Sequence, residues 1–410
     1  MRRTRLRNFL FVSALCALAT TAGCSGSGTG TSITSGGGGT TTANTQTITV
    51  NTGPTQNYVD GAFTSVTVCV PGSTTSCQTI DGILVDTGSW GLRIMASALT
   101  GVTLPQQNGA GGEPVVECLP FIDGVTWGPV QTADVQIAGE VAKSLPIQVI
   151  GSTSFSTVPN GCTSYGVPED TVDSFGANGV LGIGNFVADC DVACTQAGAN
   201  NPGLYYVCSG QNCTVTTESL ADQVQNPVAS FAADNNGVVI DFPAVTGAET
   251  SVTGSLVFGI GTQSDNALGS ATVYAVDSEI GNFTTVYNNV TYSDDSFLDT
   301  GSNGIYFLDS ATTQLPLCSG LNNFLYCPTS TQNLTATNIG FGNGATGTVN
   351  FVVGNGDTLT ANVNDAAVNG LAGPYSGMFD WGLPFFFGRK VFTAIAGANT
   401  PGGQGPYVAY

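Results

Sequence analysis

The chain has 410 residues, of which 41% are hydrophobic and only 9% charged, so charge-driven disorder is excluded and a sizeable core is available. Its 28 acidic residues outweigh 8 basic ones, a formal charge of −20, which excludes nucleic acid and anionic lipid headgroups as partners. Histidine is absent, which rules out Ser-His-Asp triads, Cys-His pairs and His-ligated metals.

The N-terminus carries a basic cluster, Arg2, Arg3, Arg5 and Arg7, followed by an apolar stretch at 8–21. The segment Thr21-Ala22-Gly23-Cys24 resembles the lipobox of bacterial lipoproteins, in which cleavage leaves the cysteine as an acylated N-terminus. Residues 1–23 are therefore expected to be a signal peptide, with an ordinary cleavable leader as the rival reading. Lipidated Cys24 would hold the protein at a membrane of the cell envelope, and Ser25 after it fits outer-membrane sorting in a Gram-negative host. Loss of the leader leaves four basic residues, Arg93, Lys143, Arg389 and Lys390, against 28 acids, a formal charge of −24. Residues 24–45, rich in Gly, Ser and Thr, read as a flexible tether.

From Thr47 onward, short apolar or alternating runs are punctuated by turns: 63–70, 83–85, 133–137, 237–242, 255–258, 272–276, 284–292, 348–353 and 385–392. Many short strands at this spacing predict an all-β sandwich or barrel architecture. Helices are expected only at 218–233 and 366–371. Ten cysteines remain once Cys16 and Cys24 are set aside, an even number in an exported chain. Close spacing suggests Cys69–Cys77, Cys190–Cys194, Cys208–Cys213 and Cys318–Cys327, leaving Cys118 with Cys162, although spacing alone does not fix connectivity. Without histidine or paired CxxC motifs, no structural metal is expected, and no cofactor is implied.

The informative feature is an internal repeat. Ile83-Leu84-Val85-Asp86-Thr87-Gly88-Ser89-Trp90-Gly91-Leu92 returns 213 residues later as Ser296-Phe297-Leu298-Asp299-Thr300-Gly301-Ser302-Asn303-Gly304-Ile305. Each copy is an apolar run, then Asp-Thr-Gly-Ser, then a second apolar run. One such turn is ordinary; two suggest lobes related by an approximate two-fold axis, at 46–265 and 266–410. Two carboxylates brought together share one proton, because like charges about 3 Å apart cannot both ionise. Asp86 and Asp299 are the candidate pair. Gly88 and Gly301 permit a tight turn with an N–H near each carboxylate. Ser89 and Ser302 can donate to the outer carboxylate oxygens, and Thr87 and Thr300 can hydrogen-bond across the lobe interface.

With these motifs the sequence resembles pepsin-like aspartic peptidases. The resemblance extends to Asn178-Gly179-Val180-Leu181-Gly182-Ile183-Gly184 and Trp381-Gly382-Leu383-Pro384-Phe385, similar to the strands that cross behind the two catalytic turns, and to Gly254-Ser255-Leu256-Val257-Phe258-Gly259. It implies a bilobal fold with a central cleft, a monomer, and hydrolysis of peptide or protein substrates by an endopeptidase without a cofactor. It also implies a flap hairpin at 121–139, placing Phe121, Asp123, Gly124 and Trp127 at the substrate cleft. Phe121 occupies the slot of the family's flap tyrosine, Arg93 that of the tyrosine's tryptophan partner, and Asp380 an ordinarily apolar slot. These departures leave open an alternative, a pepsin-fold lipoprotein that binds without hydrolysing. A glycan-processing β-sandwich would instead need carboxylates about 5–10 Å apart.

Overall fold

The computed structural model describes residues 43–410; the leader, Cys24 and most of the tether lie outside the described residues. The chain forms the expected two-lobed, all-β architecture. A 15-stranded sheet runs through the first lobe and on into strands of the second, and a seven-stranded sheet lies wholly in the second lobe. Strand sequences follow the period of two. Gln332–Ile339 and Thr346–Val353 alternate outward polar residues with inward Ala336, Val349, Phe351 and Val353. Phe307, Phe351, Phe379, Trp381 and Phe385 join in one aromatic core.

Each lobe repeats one motif around its Asp-Thr-Gly-Ser turn. In the first, Cys77–Asp86 runs into the turn and Trp90–Met95 leaves it. Gly179–Ile183, buried at every position, inserts between them, parallel to the first strand and antiparallel to the second. In the second lobe Val290–Leu298 and Ile305–Leu308 flank the turn, and Tyr375–Trp381 inserts between them in the same senses. Glycine lets these strands come close. A Cβ on Gly184 would meet the Thr87 carbonyl oxygen at 2.6 Å, and one on Gly382 the Gly304 carbonyl oxygen at 2.0 Å.

The lobes are joined by continuous pairing: Thr45–Val50, Val252–Phe258, Gly237–Asp241, Lys390–Ala394, Tyr407–Ala409 and Val273–Ala275 lie side by side. The flap is longer than expected, with strands Val115–Pro120 and Val125–Ile137. Its outer edge is covered by Tyr205–Ser209, which pairs with Val115–Pro120 and carries Asn212–Val215 beyond it. Four disulfides are those suggested by spacing, and the fifth is Cys118–Cys162, the pair left over. Cys118–Cys162 fastens the flap strand to the short helix Asn160–Thr163.

Four expected elements are corrected. Residues 218–233 form turns and a single 3-10 turn, Pro227–Ser230, because Asn226 caps it and Pro227 supplies no N–H to extend a helix backwards. Residues 366–371 contain the two-residue strand Ala367–Val368 instead of a helix. The run at 385–392 is split: Pro384 starts the 3-10 turn Leu383–Phe386, and the strand begins only at Lys390. The expected strand at 284–292 is a hairpin, Phe283–Tyr287 with Val290–Leu298, turning at Asn288 and Asn289, both at positive φ.

Candidate active site

The two turns meet at the lobe interface. Thr300 N–H donates to Thr87 Oγ1 at 3.0 Å and Thr87 N–H to Thr300 Oγ1 at 3.1 Å. Each hydroxyl donates onward to the opposite lobe, Thr87 to the Leu298 carbonyl at 3.1 Å and Thr300 to the Val85 carbonyl at 2.8 Å. This buried square of four bonds ties residues 213 positions apart and leaves the neighbouring aspartates facing each other. The Asp86 and Asp299 carboxyls converge: a Cβ on Gly301 would fall 2.7 Å from Asp86 Oδ1 and 3.0 Å from Asp299 Oδ1. So close is the approach that a Cβ on Gly88 would fall 2.6 Å from the Asp299 carboxyl carbon.

Each carboxyl is held from its own turn. Gly88 N–H donates to Asp86 Oδ1 and Gly301 N–H to Asp299 Oδ1, both at 2.7 Å. Ser302 Oγ donates to Asp299 Oδ2 at 2.8 Å, and Ser89 Oγ makes the matching bond to Asp86 Oδ2. Burial first, then the Asp299 charge and the contact with its carboxyl, raise Asp86 well above the usual carboxylate range against the lowering effect of Ser89 and Gly88. These effects favour a proton retained on Asp86.

The hairpin tip lies within electrostatic reach of this pair, since the Asp299 charge acts on Asp123 at the tip. Phe121 N–H donates to the Gly124 carbonyl at 2.8 Å, closing the tip. Phe121 packs edge-on against Phe175. Gly124 is pressed against the 166–169 segment, where a Cβ would meet Glu169 Cγ at 2.5 Å. Asp123 keeps solvent contact at the tip. Crowding by the surrounding protein, then the Asp299 charge, raises its carboxyl. Trp127 belongs to the hairpin but not to the cleft. Its indole is 2% exposed, donates to the Phe155 carbonyl at 2.8 Å and stacks edge-on against Tyr206, because hairpin residues alternate faces and this one turns towards the Tyr205–Ser209 side.

Two residues at the site, Tyr58 and Tyr306, had no signal in the sequence. Tyr58 packs beside Phe63 and Phe175; burial, then Asp123, Asp299 and Asp86, raise its phenol. Tyr306 donates to Asn303 Oδ1 at 2.5 Å, and burial followed by the Asp380 charge raises it. Asp380, 1% exposed, has no hydrogen-bond partner of good geometry on either oxygen among the described residues, although Ser302 lies alongside. Burial and the dyad charges raise it well above the usual range. Its position before Trp381-Gly382 is the one clue the sequence contains. Among the described residues the metal-type donors that cluster are Cys318, Cys327 and Asp357, and both sulfurs are tied in a disulfide.

Among solved structures, the aspartic proteinase from Irpex lacteus is similar over 89% of this chain and 96% of its own, with a TM-score of 0.50 and 16% sequence identity. That likeness establishes the pepsin-like fold. No curated protein matches in sequence. The family model described as protein of unknown function (DUF3443) matches residues 40–410. A chain in which a pepsin-like fold brings two Asp-Thr-Gly-Ser turns face to face thus belongs to the DUF3443 family.

Proposed function

We propose that the protein is an aspartic endopeptidase. The observation that carries this reading is the convergence of the Asp86 and Asp299 carboxyls, each held by a glycine N–H and a serine hydroxyl. A water between the carboxyls loses a proton to the ionised member while the protonated member donates to the scissile carbonyl oxygen. A peptide or protein substrate would lie extended between the lobes (46–265 and 266–410) under the flap, with Phe121, Asp123 and Gly124 against it. The chain would act as an exported monomer at the cell envelope, anchored through lipidated Cys24.

The test is cleavage of an unfolded protein between pH 3 and 7 by the oxidised protein, with and without pepstatin. Asp86→Asn and Asp299→Asn should each abolish turnover while preserving the thermal transition. Turnover surviving in both variants, or absent from the native protein at every pH, refutes the reading. Phe121 in place of a flap tyrosine favours the second reading, a binding lipoprotein. That reading requires a peptide ligand to bind native protein and Asp86→Asn equally, with no cleavage.

A further inference from the structure

Arg93 is a buried cation in a chain that has few. Its guanidinium is 0% exposed and ties its own strand to the flap strand and to the loop that carries Asp189. Nη1 donates to the Trp90 carbonyl at 3.0 Å, one residue beyond the Ser89 that holds Asp86. Nη2 donates to Glu117 Oε1 on the flap strand and to Asp189 Oδ2, both at 2.7 Å. Tyr205, on the strand that covers the flap edge, donates to Asp189 Oδ1 at 2.7 Å and accepts the Val224 N–H at 2.7 Å. The groups facing the two carboxyls are Arg93, Tyr205 and each other.

The charges in this cluster do not balance. One guanidinium faces two carboxyls, each 2.7 Å from its Nη2, and the three side chains are at most 2% exposed. Glu117 Oε2 and Arg93 Nε have no partner among the described residues. A net negative charge in such a place is costly, and a proton retained on Asp189 removes it and supplies a donor beside Glu117. Burial, then the Glu117 charge and contact, raise Asp189 well above the usual carboxylate range, which fits a retained proton.

We propose that Arg93 is a positioning residue: with Glu117 and Asp189 it forms a proton-dependent clamp that fixes the flap strand to the first catalytic turn. This rests for its purpose on the peptidase reading, under which the flap covers the dyad, but the clamp itself is testable without turnover. Detaching Val115–Pro120 would expose Asp189 to water and release the retained proton. Opening is therefore resisted fully below about pH 4, the ordinary carboxylate value. Protection is then lost, by up to about tenfold per pH unit, as pH rises towards the raised value of the closed state.

The experiment is hydrogen exchange on the full oxidised chain without substrate, corrected for intrinsic rates, from pH 4 to 8. Flap amides of Val115–Pro120 should lose protection as pH rises, while those of Gln332–Ile339 in the second lobe serve as the control. Asp189→Asn, which mimics the protonated carboxyl, should flatten the flap profile. Arg93→Met should leave the flap unprotected at every pH. The proposal is overturned if Asp189→Asn keeps the native pH profile, or if flap and control amides shift together. Should Arg93→Met not fold, the Asp189→Asn comparison decides alone. Absence of peptidase activity, with this exchange pattern intact, would refute the function and leave the clamp standing.

Discussion

Replacing Thr87 by valine isolates the bonds that join the two lobes. Valine keeps the shape of threonine and opens no cavity, but it removes the hydroxyl that accepts Thr300 N–H and donates to the Leu298 carbonyl. Thr87 is 5% exposed and Thr300 0%, so water does not take over these roles. An orphaned buried donor costs about 1–3 kcal/mol and the second lost bond about 1 kcal/mol, giving about 2–4 kcal/mol. At ~2.1 cal/mol/K of unfolding entropy per residue over residues 43–410, that lowers Tm by about 3–5 °C. Calorimetry on Thr87→Val, Thr87→Ser and native protein measures it. Serine keeps the hydroxyl and should lose less than half as much. Thr300→Val strips Thr87 N–H and the Val85 carbonyl in the same way and should match Thr87→Val. A Thr87→Val protein within about 0.5 kcal/mol of native, or a serine variant equally damaged, would refute the idea that this square holds the dyad together.

Stability should also rise on acidification. Asp60, Asp86, Asp189 and Asp380 are all raised well above the usual range, chiefly by burial, and Glu218 is pushed up to about 7 by burial and Asp222. Such groups bind protons in the folded state that the unfolded chain releases. Their stabilisation is complete below about pH 4 and is lost as pH rises, at up to about 1.4 kcal/mol per pH unit for each proton. A Tm that climbs from pH 4 to 7 contradicts this. Asp380→Asn, the uncharged equivalent of a protonated carboxyl, should leave Tm at pH 4 unchanged and lessen its fall towards pH 7; a large loss at pH 4 would mean that Asp380 is ionised there. Replacing Cys118 and Cys162 by alanine opens a bridge of sequence separation 44 and should cost about 4 kcal/mol in the chain-entropy description, read as a denaturation midpoint shift. No shift would show that strand pairing alone holds the flap.

The site was legible because its chemistry is local. Asp86, Gly88 and Ser89 fall within four consecutive residues, as do Asp299, Gly301 and Ser302, so each turn announces its own hydrogen bonds. The strands behind them were legible through Gly179–Ile183 and Trp381-Gly382, where glycine marks close approach. The Arg93 cluster was not legible, since Glu117 lies 24 residues away and Asp189 96, and no local pattern pairs them. Tyr58 was hidden for the same reason: its surroundings come from both turns and the flap. The strand Tyr205–Ser209 was missed because it is short, and its hairpin turns on Gly210 between two cysteines that read only as a disulfide loop. The helix expected at 218–233 does not form because Pro227, capped by Asn226, interrupts it.

The strand laid along the flap has an effect on how such a protein behaves in company. A bare hairpin arm offers a row of unpaired N–H and C=O groups to any neighbouring chain. Here that row is satisfied from within, and the new outer margin is Asn212–Val215, four residues long, mostly exposed and closed off by a disulfide. Copies at high concentration would therefore meet here along a short border that gives little purchase for sheet-to-sheet growth.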